Sequence, residues 1–132
     1  MAATVYNGKG NITHTNSSGG NERIVIYWIY KENSAVVDVK WGNFSGNFNT
    51  ATMNTNADQY VGKTLAYGMA SSGSNQTIIA EKSYNNSSSI DSSPVPLEVF
   101  IADGEGFSIT TTNVSPVTII RGYNFIVIPE TN

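Results

Sequence analysis

Short runs of β-branched and aromatic residues, separated by Gly, Asn, Ser or Pro every 8–15 residues, recur along the whole chain. Such side chains suit a pleated, half-buried surface, and the separating residues favour turns. No segment combines an apolar 3.6-residue period with helix caps. The pattern predicts an all-β protein with an antiparallel, jelly-roll-like β-sandwich of about eight short strands and less than about 10% helix.

The chain length favours one domain. With 132 residues, the chain can bury roughly two-thirds of its unfolded surface, whereas two halves would each lack a proper core. We therefore expect a single sandwich domain over residues 1–132, with an N-terminal arm and the first strand within residues 1–20.

The run 23–31 is apolar on both faces of a strand. We expect one face to be buried in the sandwich and the other to contact a neighbouring subunit or the long connection 42–62. The candidate subunit-interface residues are Val25, Tyr27 and Ile29. The expected core residues are Ile24, Ile26, Trp28, Val37, Val39, Trp41, Leu97, Val99, Ile101, Phe125 and Val127.

Further strands follow from the same pattern. Alternation predicts a half-buried strand at 35–41. A short polar link joins it to 23–31, and we expect the two strands to form a hairpin. The connection 42–62 is expected to lie on the surface and to contain one short strand. The remaining candidates are 10–15, 63–70 (a strand or a helical turn), 76–82, 97–102, 107–112, 116–121 and 123–128.

Composition argues against several partners. Asn, Ser and Thr make up one-third of the residues, charged residues only 13%, and the net charge is −3. The seven basic residues are scattered, so we expect no nucleic-acid binding. No apolar run approaches the roughly 20 residues that span a bilayer, so we expect no membrane insertion.

Residues suited to catalysis are scarce. His14 is the single histidine and cysteine is absent. His14 lies in a strand pattern without a nucleophile motif, and is interpreted as a solvent-facing or hydrogen-bonded strand residue. Asp103 and Glu105 are interpreted as part of a Gly-supported turn, with a calcium loop as the alternative. We expect no enzyme activity, cofactor or metal, although two carboxylates could serve a glycosidase.

Aromatic residues in the less regular segments provide a second hypothesis. Tyr60, Tyr67 and Tyr84 could stack against sugar rings, as tyrosines do in lectins. A carbohydrate-binding module is therefore the main alternative function, with a glycan as its partner.

Three passages carry a resemblance: NITHTNSSGGNERIVIY (11–27), PLEVFIADGEGFSI (96–109) and GYNFIVIPE (122–130). Together they resemble small β-sandwich structural proteins and tail-fibre segments of tailed bacteriophages, including those of marine cyanobacteria. The resemblance implies a non-enzymatic virion protein, made in the host cytoplasm, that cements the capsid or forms part of a tail fibre. Its partners would be other virion proteins and further copies of itself, with a trimer favoured.

Overall fold

The computed structural model describes residues 2–32, 36–54, 59–64, 70–71, 74–75, 79–85 and 98–130. The elements in these ranges are mostly short strands. In chain order they are β1 (Thr4–Gly8), β2 (Ile12–Thr15), β3 (Glu22–Lys31), β4 (Val36–Gly42), β5 (Phe48–Asn54), β6 (Gln59–Thr64), β7 (Ala70–Ser71), β8 (Ser74–Asn75), β9 (Ile79–Asn85), β10 (Glu98–Ile101), β11 (Gly106–Thr110), α1 (Pro116–Ile119) and β12 (Ile120–Pro129).

Two antiparallel sheets form a sandwich. The first sheet has the order β1-β12-β3-β6-β9, and β10 also pairs with β3; the second has the order β2-β11-β4-β5. Eight of these strands form a jelly roll. One layer consists of β1, β12, β3 and β10, and the layer facing it consists of β2, β11, β4 and β5. The all-β, antiparallel sandwich prediction is confirmed. The predicted hairpin of 23–31 and 35–41 is wrong, because β3 and β4 lie in different sheets. Strands β6 to β9 are an insert between β5 and β10, and β6 and β9 extend the first sheet.

The core lies between the two sheets, where alternate residues of each strand point inward. Burying each large side chain stabilises the fold by about 1.5–3 kcal/mol. Most of the expected core residues belong to it, and Trp41 packs against it half-buried. Leu97 lies outside the described residues. The core residues are Ile24, Ile26, Ile29, Val37, Val39, Ala51, Met53, Val99, Ile101, Phe107, Ile109, Ile120, Tyr123, Phe125 and Val127.

A β-bulge interrupts the longest strand pair. Ile26 pairs with Phe125, but the next matched pair is Trp28 with Asn124, so Tyr27 is an extra residue on β3. A bulge of this kind reverses which residues of the strand face the core, because side chains alternate with a period of two.

The reversal corrects two sequence predictions. Ile29 was expected on the outer, subunit-facing side, but it is fully buried in the core. Trp28 was expected in the core, but it is half-buried and lies outside the core cluster. The bulge also places Lys31 in a fully buried position, where its Nζ donates to the Glu32 carbonyl oxygen at 3.0 Å.

The C-terminal region differs from its prediction in a second way. Strands were expected at 116–121 and 123–128, but Pro116–Ile119 forms one helical turn and Ile120–Pro129 is a single strand. Proline suits the first turn of a helix because its missing N–H needs no partner there. The Ser115 carbonyl accepts hydrogen bonds from the Thr118 and Ile119 amides, both at 3.1 Å.

The middle of the chain contributes more strand than expected. The connection 42–62 contains β5, which pairs with β4 in the second sheet, and the start of β6, which pairs with β3. Of the expected strand 76–82, residues 79–82 lie in β9, and 76–78 are outside the described residues. Because β5 belongs to the second sheet, it does not cover the outer face of β3.

Candidate functional site

A partly buried polar cluster joins the two sheets near β2. The His14 ring lies between the Tyr6 hydroxyl, 2.9 Å from Nδ1, and the Glu22 carboxylate, 2.7 Å from Nε2. A carboxylate only accepts hydrogen bonds, so Nε2 carries a proton; in the neutral ring Nδ1 accepts from Tyr6. Tyr6 stacks on Phe125 with ring centroids 4.8 Å apart. Both ring nitrogens of His14 are therefore held in contacts that connect the sheets.

The acidic turn after β10 uses both of its carboxylates to hold backbone. Asp103 Oδ1 accepts from the Gly19 amide at 2.9 Å, and Glu105 Oε1 accepts from the Ala102 amide at 2.8 Å. Gly104 has a φ of 87°, a conformation that favours glycine. Within the described ranges, no group of three or more His, Asp or Glu side chains could hold a metal ion.

The outer face of the first sheet carries a group of apolar side chains around the charged residues Arg23 and Glu98, and we call this group the apolar face. Strand pairing places Val5 opposite Ile126 and Ile126 opposite Val25, in one row across β1, β12 and β3. Residues directly opposite one another in a sheet project to the same side. The apolar face consists of Val5, Val25, Tyr27, Phe100, Ile126 and Ile128.

Several side chains of the apolar face are unusually exposed for their size. Val5 is 61% exposed, Phe100 58% and Tyr27 41%. Val25, Ile126 and Ile128 are half-buried. Scattered exposed apolar residues are ordinary in proteins, whereas a contiguous group of them marks an interaction surface.

The charged groups beside the apolar face pair with one another. Arg23 Nη1 lies 2.8 Å from Glu98 Oε2, and Arg23 Nε lies 3.8 Å from Glu130 Oε1. The hydrogen bond to Glu98 is the main cause that raises the pKa of Arg23 above its usual value. Arg23 therefore has two carboxylate partners, and the three groups together leave one net negative charge beside the apolar side chains.

The sequence-predicted site residues separate in the structure. Val25 and Tyr27 belong to the apolar face, whereas Ile29 belongs to the core. Tyr60 on β6 is paired in register with Tyr84 on β9 and with Tyr30 on β3, so the backbone brings the two predicted tyrosines together. Tyr67 lies outside the described residues.

A cleft of about 280 Å³ lies on the outer face of the second sheet. Two phenylalanines form its apolar wall: Phe44 and Phe48 are 40% and 42% exposed, with ring centroids 5.8 Å apart and planes nearly perpendicular. The Lys40 ammonium lies 5.5 Å from the centre of the Phe48 ring. The aromatic cleft is lined by Thr13, Lys40, Phe44, Phe48, Ser108 and Thr110.

The turn between β4 and β5 fixes the aromatic wall. The Asn43 side-chain oxygen accepts from the Ser45 amide at 3.0 Å, and the Asn43 carbonyl oxygen accepts from the Gly46 amide at 2.9 Å. Phe44 lies over Gly106 of β11, where an added Cβ would come within 2.7 Å of the Phe44 ring. The ring therefore occupies space that only glycine leaves open.

Sequence reasoning did not identify the aromatic cleft, because Phe44 and Phe48 lie in 42–62, which was interpreted as a surface connection with one short strand. The available signal was the string NFSGNF, in which two phenylalanines flank turn-forming residues. Recognising the cleft also required the partner strand β11, which is distant in sequence.

Comparisons with known proteins give no relatives: no family model matches the chain, and neither a curated protein nor a solved structure is significantly similar to it. Among the described residues, no helix has the length and apolar character needed to cross a bilayer.

Proposed function

We propose that the chain is a non-enzymatic structural subunit of a tailed-phage particle that acts by binding neighbouring subunits through the apolar face. The exposed side chains of Val5, Tyr27 and Phe100 on this face carry the proposal. Three passages resemble phage structural proteins, and this resemblance supports a location in a phage particle, either on the capsid or in a tail fibre. The mechanism is burial of surface, without turnover.

A second copy of the chain is the proposed occupant of the apolar face. Arg23 is already paired with Glu98 and Glu130, so two such patches can approach without an unpaired arginine between them. Each large apolar side chain removed from water contributes about 1.5–3 kcal/mol before the costs of association are subtracted. The resemblance favours a trimer.

Light scattering coupled to size exclusion tests self-association. We expect the wild-type protein to be an oligomer and both Tyr27→Lys and Phe100→Lys to be monomers with unchanged melting temperatures. Thr50→Lys is the matched control, because Thr50 is an exposed position on β5 of the other sheet. A wild-type protein that stays monomeric at high concentration, and that binds no particle component, would contradict the proposal.

The particle setting needs its own measurement. Mass spectrometry of purified particles should find the chain at a stoichiometry that matches a symmetric position on the capsid or tail. Its absence from purified particles would reject the virion role and leave self-association to be judged separately.

Carbohydrate binding is a second candidate function, and the aromatic cleft is the observation that favours it. Exposed aromatic rings next to hydroxyl groups are suited to the mixed apolar and polar surface of a sugar. The cleft lies on the opposite sheet from the apolar face, so one subunit could have both functions.

A further inference from the structure

We infer that the aromatic cleft is a binding site for an acidic sugar, such as a uronic acid unit within an oligosaccharide. The inference rests on the second candidate function and specifies its site and ligand class. Three features of the cleft support it: an aromatic wall, a row of hydroxyl groups and one lysine.

The aromatic wall supplies a surface for the C–H face of a sugar ring. Phe44 and Phe48 are each about two-fifths exposed and meet edge to face. The hydrogen bonds within the 42–47 turn and the space above Gly106 fix the position of Phe44 before any ligand arrives. A preformed surface reduces the entropy lost on binding.

A row of polar side chains forms the floor of the cleft. Ser108 on β11 is paired with Thr13 on β2 and with Lys40 on β4, so the three residues lie side by side across the sheet. Thr110 lines the cleft two residues further along β11. Hydroxyl groups both donate and accept hydrogen bonds, which matches the hydroxyl groups of a sugar.

Lys40 gives the cleft its preference for an acid. Its ammonium group lies over the Phe48 ring and forms no ion pair with a carboxylate of the described residues. Asp38, two positions earlier on β4, lies opposite Thr110 but does not line the cleft, and it accepts a hydrogen bond from Thr52 at 2.9 Å. A carboxylate ligand would supply the charge-assisted hydrogen bond that Lys40 can make.

The size of the cleft limits the ligand. Its volume of about 280 Å³ is just below the usual range for small-molecule pockets, about 300–1,000 Å³. A short stretch of oligosaccharide fits this volume better than a folded partner does. A single lysine is also a poor match for a phosphate backbone, which needs several cations.

An NMR titration tests the inference with trigalacturonic acid and its fully methyl-esterified, neutral form as the two probes. We expect the acid to shift the amide signals of Thr13, Lys40, Phe44 and Ser108, and the neutral form to bind at least about tenfold more weakly, as expected for loss of a charge-assisted hydrogen bond. Lys40→Met keeps the aliphatic stem and should abolish this preference. Phe44→Ala should weaken binding of both probes.

Val114→Ala is the control that should leave binding unchanged, because Val114 is 99% exposed and belongs to neither surface. Thermal melting of each variant establishes that it is folded. Equal affinity for the two probes would overturn the acid preference while leaving carbohydrate binding intact. Absence of binding by both probes, or shifts confined to other residues, would overturn the site. Neither result affects self-association through the apolar face, which light scattering measures independently.

Discussion

His14 and Glu22, eight residues apart in the chain, meet where the two sheets adjoin, with Nε2 and Oε1 2.7 Å apart. His14 belongs to β2 of the second sheet, and Glu22 begins β3 of the first sheet. The carboxylate is almost fully buried, with 7% of its side chain exposed. Tyr6 completes the cluster from β1, so three strands depend on one hydrogen-bonded chain.

Removing one member of this pair should destabilise the protein more than its size suggests. We expect His14→Ala to lower the free energy of unfolding by about 3 kcal/mol, because the buried Glu22 carboxylate loses its partner. Urea denaturation of His14→Ala, Glu22→Ala and the double variant forms a complete cycle. The double variant should lose about 0.5–3 kcal/mol less than the two single losses together. Strictly additive losses would show that the two residues are not coupled.

The β-bulge at Tyr27 leads to a second prediction. Ile29→Ala should cost about 2–5 kcal/mol, because it leaves a cavity in the core. Trp28→Ala removes more atoms but should cost less, since Trp28 is half-buried and outside the core cluster. Urea melts of the two variants compare these values directly. A larger loss for Trp28→Ala would place the tryptophan in the core and contradict the bulge.

Asn16 is the centre of the loop that precedes β3. Its side chain is almost fully buried; Nδ2 donates to the carbonyl oxygens of Gly20 at 2.8 Å and Ile101 at 3.2 Å. Asn16→Asp should cost about 3 kcal/mol at neutral pH, because it buries a carboxylate against these two oxygens.

Asn11→Asp is the matched control for Asn16→Asp. Asn11 is exposed, and its Oδ1 accepts from the Thr111 amide at 3.0 Å, a bond that aspartate can also form. The bond that aspartate cannot form, from Nδ2 to the Thr111 carbonyl oxygen, is long at 3.5 Å. The free energy of unfolding of Asn11→Asp should differ from that of the wild type by no more than about 0.5 kcal/mol, as for most surface changes. Similar losses in the two variants, measured by thermal or urea unfolding, would refute the buried network around Asn16.

Tyr123 should make the protein sensitive to alkali. Burial, followed by the nearby Tyr6, raises the pKa of the Tyr123 phenol above its ordinary value near 10. The fold therefore favours the neutral phenol, and this stabilisation is complete below the unfolded pKa and is lost as pH rises through the folded pKa. Tyr123→Phe cannot ionise, so its unfolding free energy should fall less steeply above about pH 10. Identical pH profiles for the two proteins would contradict the burial of an ionisable phenol.

Much of the fold could be predicted from local patterns. Alternation in 35–41 identified Val37 and Val39 as core residues of β4, because a strand with one buried face repeats every two residues. The same reasoning failed in β3 beyond Tyr27, because a bulge depends on the register with β12 and has no sequence signature of its own. The same reasoning predicted two strands separated at Gly122, whereas β12 continues through this position with a shift in its register with β3.

The candidate surfaces could also be predicted only in part from local sequence patterns. Val25 and Tyr27 could be identified from a doubly apolar strand, but their neighbours Val5, Phe100 and Ile126 come from three other strands. The aromatic cleft was missed, because its floor combines residues of β2, β4 and β11 that only strand pairing brings together.

The sequence by itself determined the all-β fold class, because apolar alternation and turn residues act over a few neighbouring positions. It also determined the composition, which is poor in charge and rich in Asn, Ser and Thr. The tertiary structure alone decided that Ile29 is buried, that His14 lies between Tyr6 and Glu22, and that Phe44 lies over Gly106. The physical reason is that these contacts join residues of different strands, and their geometry is fixed by sheet register and sheet packing, which no local stretch of sequence specifies.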